Sequence, residues 1–301
     1  MLLKDFFKQT VDHLSEQDVF YGHGVEEAED EVLLLFMSVL NVDFSELNEM
    51  AKAKMKPGQQ NKVNNLVKKR VQQKIPMAYL VGFSVFAGLK FRIDERALIP
   101  RSPFVELIDS GFMPWMDMSQ STKVLDLCTG SGCIGLAIAH YFSQAQVDLV
   151  DLSEAALDLA RENTELLELG TQCHLIHSDL FSNVSGCYDL IVTNPPYVAE
   201  QEYQDLPQEY SHEPKMALVS QLEGMEIPVN ILFQAVDYLN EDGFLFLEVG
   251  YNDAVLTAVL PEVAFDWIDF TVGGQGICVF SRSDLLKYRE NFKQFLEEHV
   301  A

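Results

Sequence analysis

The sequence predicts an α/β fold with a mostly parallel sheet, preceded by a small helical region. From Lys123 onward, segments of strand character alternate with segments of helical periodicity, which is typical of repeated strand–helix units. Such units have right-handed crossovers and give a Rossmann-like sheet. No helical segment separates the last two strand candidates, so we expect them to pair antiparallel.

Seven segments are expected to form this sheet. Ligands of such sheets bind at the carboxyl ends of the strands, near the point where the strand order reverses. The strand candidates are Val124–Leu127, Gln146–Val150, Cys173–His177, Leu190–Thr193, Phe244–Val249, Trp267–Val272 and Cys278–Ser281.

The part before the sheet divides in two. Apolar residues recur there at helical spacing, and further on they alternate between Val85 and Ile93 around Gly88, which predicts a hairpin. Ser102 before Pro103 is a good start for the first helix of the sheet domain. We therefore expect a helical substrate-recognition domain, a β-hairpin linker and a sheet domain, at residues 1–76, 77–100 and 101–301.

Composition narrows the class of protein. The chain has 301 residues, of which 48% are hydrophobic, and a formal net charge of −25. No window reaches the roughly 18 apolar residues of a membrane span, and the first residues lack the apolar core of a signal peptide. A cytoplasmic protein without a membrane partner is expected. Its acidic excess would repel free nucleic acid on average and attract basic partners.

The cysteines argue against a disulfide framework and a structural zinc site. Their number is odd, their spacing is irregular, and no CxxC pair occurs among them. We therefore expect reduced thiols and no metal. The five positions are Cys128, Cys133, Cys173, Cys187 and Cys278.

One stretch departs from the acidic trend. Residues 51–76 contain eight basic side chains and no acidic one. A solvated helix face and a contact with RNA explain this pattern about equally well. The sequence leaves both interpretations open.

A glycine turn follows the first predicted strand of the sheet. Gly130 and Gly132 allow the backbone to bend tightly and approach a ligand. Asp126 precedes the turn and can face a methionine moiety, directly or through water. Asp151 ends the second strand, where it can accept from both ribose hydroxyls, and Asp179 follows the third, where it can accept from an adenine amino group. These positions predict an S-adenosylmethionine site.

Other interpretations of this turn remain. With Gly135, the two glycines also spell GxGxxG, which is weak evidence for a nicotinamide dehydrogenase when it stands alone. A structural turn without a ligand, with the carboxylates as helix caps, is a further alternative. The additional adenine contact and the motif at the end of the fourth strand favour a methyltransferase.

That motif is Asn194-Pro195-Pro196-Tyr197. Two prolines end sheet pairing and leave backbone carbonyls free. The Asn194 side-chain oxygen and the Pro195 carbonyl can each accept one N–H of a planar amide or amino group. Its lone pair would then point at the methyl group to be transferred, and the acceptors would stabilise the charge that develops on nitrogen. Tyr197 can stack on the planar group, with Pro196 on the substrate side.

Acidic residues cluster just after this corner, with no basic residue among them. We hypothesise that they attract a basic protein substrate and repel a DNA backbone, while a merely solvated loop is the alternative. Glu213 is the member expected to contact substrate. The cluster comprises Glu200, Glu202, Asp205, Glu209 and Glu213.

Taken together, these motifs resemble the glutamine-amide methyltransferases related to the bacterial release-factor methyltransferase. The resemblance extends over nearly the whole chain and rests on the YLVG hairpin, LIPR, DLCTGSGCIG, NPPY and Glu213-Pro214. It implies a class I methyltransferase sheet, S-adenosylmethionine as cofactor and N5-methylglutamine within a protein as product. The family's asparagine falls on Asn194, its turn residues on Thr129, Gly130 and Gly132, and its ribose carboxylate on Asp151.

One departure from the release-factor enzymes points to a branch of this family. They usually continue LIPR with Pro-Asp-Thr-Glu, whereas this chain reads Ser102-Pro103-Phe104-Val105-Glu106. That sequence looks like the branch acting on large-subunit ribosomal protein L-three, and the stretch at residues 51–76 would suit a contact with ribosomal RNA. Release factors remain the alternative substrate.

Two further readings stay open. Adenine N6 in DNA offers the same two hydrogens to an NPPY corner, although DNA enzymes usually carry a basic recognition domain. A non-catalytic S-adenosylmethionine-binding scaffold would not need the asparagine.

Overall fold

The computed structural model describes residues 1–120, 122–271 and 273–299. The strands within them are β1 (Phe83–Phe86), β2 (Leu89–Arg92), β3 (Thr122–Leu127), β4 (Ala145–Asp151), β5 (Cys173–His177), β6 (Tyr188–Thr193), β7 (Leu239–Glu248), β8 (Asp266–Trp267) and β9 (Ile277–Ser281). Strands β3 to β9 form one seven-stranded sheet, and β1 and β2 pair as a separate antiparallel hairpin. The predicted α/β fold with a hairpin before the sheet is confirmed.

The strand order of the large sheet is β5-β4-β3-β6-β7-β9-β8. Strands β3 to β7 run parallel, while β9 is antiparallel to both β7 and β8, as predicted for the last pair. After β5 the chain returns to the other side of β3 to form β6. The order therefore reverses between β3 and β6, which is where such sheets bind ligands.

Helices cover both faces of the sheet and form the N-terminal region. Those in the described residues are α1 (Leu3–Ser15), α2 (Ala28–Leu40), α3 (Phe44–Glu49), α4 (Pro57–Gln73), α5 (Met77–Val81), α6 (Phe104–Asp109), α7 (Cys133–Tyr141), α8 (Glu154–Leu166), α9 (Glu200–Asp205), α10 (Glu226–Ala235), α11 (Asp253–Val259) and α12 (Arg282–His299). None of them is long and apolar enough to cross a bilayer. Separate apolar cores lie on the two sheet faces and among the first helices.

Helix α12 was not predicted, although its sequence carries the signal. Its buried side chains recur at helical spacing, and the Asp284 carboxylate accepts from the Ser281 backbone N–H at 3.0 Å. The helix packs on α10 and covers one face of the sheet. Its buried residues are Leu285, Tyr288, Phe292 and Phe295.

The predicted strand Trp267–Val272 is shorter than expected. Strand β8 covers only Asp266–Trp267, and Val272 lies outside the described residues. Pairing extends one step further, because the Ile268 N–H donates to the Ile277 carbonyl at 2.9 Å. Positive φ angles at Gly273 and Gly274 then turn the backbone away from an extended path.

The linker begins with a helix that alternation did not predict. Helix α5 starts after Pro76 and ends at Gly82, whose φ of 79° is left-handed. Met77 and Ala78 are buried, so tertiary packing fixes this short turn of helix. The hairpin itself then follows as expected.

Buried ion pairs connect the N-terminal helices to the sheet domain. The Arg70 guanidinium, on α4, donates to Glu31 on α2 and to Glu209 in the segment after the NPPY corner, each at 2.9 Å. All three side chains are almost fully buried. Glu209 also accepts from the Phe20 backbone N–H at 3.0 Å. The hydrogen bonds of Glu209 to Arg70 and Phe20 cross the boundaries proposed at residues 76 and 100. These boundaries stay a prediction.

Replacing Arg70 by Ala should destabilise the fold strongly. The change would leave two carboxylates buried without their cation, which typically costs about 3–5 kcal/mol. The free energy of unfolding, measured by urea denaturation, reports the loss. The matched control is Lys69→Ala, because Lys69 is the exposed neighbour on the same helix. Equal urea midpoints for the two variants would contradict this role of Arg70.

Candidate active site

A cavity of about 640 Å³ opens at the carboxyl edge of the sheet. Its walls come from the ends of β3, β4, β5 and β6, from residues 96–102 and from α10. It therefore joins the predicted cofactor turn to the predicted acceptor corner. The predicted site residues that line it are Thr129, Gly130, Asp151, Asp179, Asn194 and Pro196.

Asp151 is fixed on the cavity wall by backbone donors. Its two carboxylate oxygens accept from the N–H groups of Gly130 and Ser153, each at 2.8 Å. Burial raises the pKa of this carboxyl, and the same backbone hydrogen bonds lower it. Gly130 has a φ of 56°, which glycine adopts without strain. The turn thus presents an oriented acceptor to the cavity.

Asp126 and Gly132 lie beneath the turn and are not among the residues that line the cavity. The Asp126 carboxylate accepts from the Thr129 hydroxyl at 2.6 Å and from the Gly135 N–H at 2.8 Å. Burial raises its pKa to about 7, against the lowering effect of these two bonds. A Cβ on Gly132 would lie 2.8 Å from Leu136 Cδ1. Both residues shape the turn from below, and a contact of Asp126 with cofactor stays a prediction.

The acceptor corner follows β6 directly. Asn194 and Pro196 line the cavity, whereas Pro195 is buried and Tyr197 packs outside the lining. The Tyr197 carbonyl accepts from Asn252 Nδ2 at 2.8 Å, and a Cβ on Gly250 would lie 2.6 Å from the Tyr197 hydroxyl oxygen. The turn after β7 therefore fixes Tyr197, the last residue of the corner, in place. Stacking of its ring on a substrate stays a prediction.

The hypothesis of an open acidic loop needs correction. Glu213 is 3% exposed and forms a bidentate pair with Arg101, at 2.7 and 2.6 Å. It also accepts from the Ile99 N–H at 3.0 Å and does not line the cavity. Its bonds are thus made within the protein, although its neighbour Pro214 lines the cavity. Direct substrate contact by Glu213 has no support in this position.

Two further members of the cluster are also neutralised. Glu209 is bound by Arg70, and Glu200 pairs with Lys215 Nζ at 2.7 Å. Arg70 comes from a distant part of the chain, whereas Lys215 follows the cluster directly in sequence. Glu202 and Asp205 remain exposed. Attraction of a basic substrate would therefore depend on fewer charges than the sequence indicates.

Sequence reasoning also missed several wall residues. Arg101 lines the cavity while Glu213 holds it, and its guanidinium lies 5.3 Å from the ring centroid of Tyr210. The only signal was the LIPR motif, which by itself assigns no role. Helix α10 carries no sequence motif, and it also contributes wall residues to the cavity: Ile227, Asn230 and Gln234.

Comparison with known proteins identifies relatives of both parts of the chain. A family model described as "Methyltransferase small domain" matches residues 108–263, and one described as "PrmC N-terminal domain" matches residues 17–82. A ribosomal protein uL3 glutamine methyltransferase of Francisella tularensis is 37% identical over 298 residues, covering 98% of this chain and 95% of that protein. Its counterpart in Xanthomonas campestris is 41% identical over 285 residues, covering 94% and 92%.

A solved structure supports the fold. The catalytic domain of hMettl16, in complex with the MAT2A 3'UTR hairpin 6, aligns with a TM-score of 0.53. The alignment covers 75% of this chain and 82% of that one, at 14% sequence identity. At this identity the likeness concerns the fold alone.

Changing Asp151 to Asn should weaken binding of S-adenosylmethionine, the cofactor expected from the sequence. One charge-assisted acceptor is typically worth about 1.5–3 kcal/mol, or roughly tenfold to a hundredfold in Kd. Isothermal titration calorimetry measures the change. Asp158→Asn is the matched control, because Asp158 is an exposed carboxylate of α8 that pairs with Arg161. Identical affinities of the two variants would remove Asp151 from the cofactor site.

Proposed function

This chain belongs to the family of ribosomal protein uL3 glutamine methyltransferases, and on that premise we propose that it methylates the side-chain nitrogen N5 of a glutamine in uL3. The observation that carries the proposal is the identity of 37% and 41% to such enzymes over nearly the full chain. The methyl donor is S-adenosyl-L-methionine. Because the proposed substrate is a ribosomal protein, we infer that the enzyme acts in the cytoplasm.

The cavity has the size and the hydrogen-bond acceptors that this cofactor needs. Its volume of about 640 Å³ lies within the range of cofactor sites. Asp151 offers a fixed carboxylate at the glycine turn, and Asp179 lines the same cavity after β5. In our proposal Asp151 holds the ribose, Asp179 accepts from the adenine, and Thr129 and Gly130 form the floor. When bound, the cofactor supplies an electrophilic methyl group on sulfonium sulfur.

Asn194 orients the acceptor nitrogen. An amide nitrogen is a poor nucleophile because its lone pair is delocalised. The Asn194 side chain and the Pro195 carbonyl would accept its two N–H groups and direct the lone pair at the methyl carbon, which lowers the barrier by orientation. Asn194 lies on the cavity wall at the end of β6, where a substrate side chain can reach it. Pro196 borders the same space, and Tyr197 lies next to it.

The alternative substrates fit the observations less well. Release-factor enzymes usually carry Pro-Asp-Thr-Glu after LIPR, and this chain has Ser102-Pro103-Phe104-Val105 instead. DNA is disfavoured by the net charge of −25, which repels a free phosphate backbone on average. The two relatives described above, which cover almost the whole chain, are named for uL3 and not for either alternative substrate.

The proposal predicts a methyl group on one glutamine of uL3. Purified enzyme and isotope-labelled cofactor are incubated separately with uL3, a release factor and DNA, and mass spectrometry locates the label. Asn194→Ala should keep cofactor affinity while losing at least about a hundredfold in kcat, because it removes one orienting acceptor. Label on DNA or on the release factor alone would refute the assignment. Equal loss of binding and turnover would give Asn194 a structural role.

We further propose that part of the 51–76 stretch contacts ribosomal RNA when uL3 is modified during assembly. Two of its eight basic residues have internal partners, since Arg70 is buried with Glu31 and Lys74 lies 3.5 Å from Asp18. The others are exposed along the first helices and give a basic surface on an acidic protein. They are Lys52, Lys54, Lys56, Lys62, Lys68 and Lys69.

Replacing Lys62, Lys68 and Lys69 by Ala should weaken binding to a ribosomal RNA fragment. The slope of log affinity against log salt should fall by about 0.7–0.9 for each lysine that contacts phosphate. Fluorescence anisotropy at several salt concentrations measures both quantities. Lys293→Ala, on α12, is the control. An unchanged slope would mean that these lysines only solvate the helix.

A further inference from the structure

Glu248 is a buried carboxyl at the acceptor end of the cavity that the proposed mechanism leaves unused. It is the last residue of β7 and is 3% exposed. Thr193 pairs with Leu247 in the parallel register of β6 and β7, so the residues that follow them, Asn194 and Glu248, lie level on neighbouring strands. Adjacent strands are about 4.8 Å apart. The register thus places the Glu248 backbone beside the Asn194 backbone.

Ser102 links this carboxyl to the cavity. Its hydroxyl donates to Glu248 Oε2 at 2.5 Å, and its oxygen accepts from the Phe104 N–H at 3.2 Å. Ser102 lines the cavity, whereas Glu248 does not. The hydroxyl therefore stands between the buried carboxyl and the space that also reaches Asn194.

The charges around Glu248 come from three elements. Burial raises the pKa of Glu248 to about 8, while the Ser102 hydrogen bond and the nearby Arg101 cation lower it. Burial raises the pKa of the Tyr197 hydroxyl and of the Cys133 thiol, and the negative charge of Glu248 raises both further. Among these groups Arg101 is the cation, and Glu213 holds it. The Glu248 carboxyl can therefore gain and lose a proton near neutral pH.

We propose that Ser102 and Glu248 form a relay that takes up the proton released when the substrate nitrogen is methylated. The nitrogen lone pair forms the N–CH3 bond, and the electrons of the broken S–CH3 bond stay on sulfur. Once the N–CH3 bond has formed, one N–H leaves its carbonyl acceptor and gives its proton to Ser102 Oγ, whose own proton moves to the Glu248 carboxylate. The same carboxylate stabilises the positive charge that develops on nitrogen. Ser102 is a catalytic residue in this scheme, and Glu248 is a positioning residue that acts through it.

The test is kinetic and rests on the proposed methylation of uL3. Glu248→Gln keeps the shape and an acceptor for Ser102 but cannot take up a proton. We expect its kcat to fall at least about tenfold with KM for the cofactor unchanged. In the wild type kcat should rise with pH through the pKa of Glu248, and Glu248→Gln should lose this rise. Ser102→Ala should act likewise, and the double variant should be no slower than the slower single one.

Asp148→Asn is the matched control, since Asp148 is a carboxylate of β4 that accepts from the Tyr188 hydroxyl at 2.7 Å, away from the cavity. It should retain wild-type kcat and the wild-type pH profile. A Glu248→Gln variant with wild-type kcat, with an unchanged pH profile, or with a loss confined to cofactor KM or to thermal stability would overturn the relay. So would additive losses in the double variant.

A second readout separates this inference from the proposed function. Infrared difference spectra should show a protonated carboxyl band that disappears as pH rises in the wild type and is missing from Glu248→Gln, whereas the band of Asp126, whose pKa burial raises to about 7, should remain in both. Absence of that titration overturns the relay whatever the substrate is. If the band titrates and wild-type enzyme leaves uL3 unmodified, the substrate assignment fails and the titrating pair stands.

Discussion

The parallel register of β3, β6 and β7 is the constraint on which the site depends. Leu127 pairs with Thr193, and Thr193 with Leu247, so three strands end at one level. A different feature stands at each of these ends: the glycine turn after β3, the Asn194 amide after β6 and the Glu248 carboxyl at the end of β7. A slip of one residue in any pair would send these side chains to the opposite face of the sheet. Precision at the site is thus set by the backbone hydrogen bonds of the strands that end there.

Charge burial is the second constraint. Two arginines, Arg70 and Arg101, are held by carboxylates of the segment after the NPPY corner. Buried pairs of this kind add little net stability, but breaking one is costly because it leaves a charge without its partner. They therefore fix geometry more than they strengthen the fold. That segment borders the cavity through Pro214 and Met216, so its placement shapes the substrate side of the site.

Much of this was accessible from the sequence alone. Strand–helix alternation predicts the sheet, and the motifs at the strand ends predict that Gly130, Asp151 and Asn194 border one cavity, as they do. These features are local: a turn, a proline pair and a carboxylate after an apolar run each carry their meaning within a few residues.

What the sequence could not give is the set of partners far apart along the chain. Glu213 looked like an exposed acid because Arg101 lies 112 residues away. Glu248 sits at the end of an apolar strand without a motif, and only strand register places it beside Asn194. Each miss concerns a long-range contact that local propensity does not encode.

The Arg70–Glu209 bond has a consequence for how such enzymes diversify. It connects the helices that precede the sheet to the segment after the NPPY corner, which borders the cavity. If these helices were replaced by those of a relative that lacks an arginine at the position of Arg70, the Glu209 carboxylate would be buried without a cation. Substitutions in the N-terminal helices and in the segment after the NPPY corner must therefore occur together. A change of substrate preference is expected to need paired substitutions on both sides of this contact.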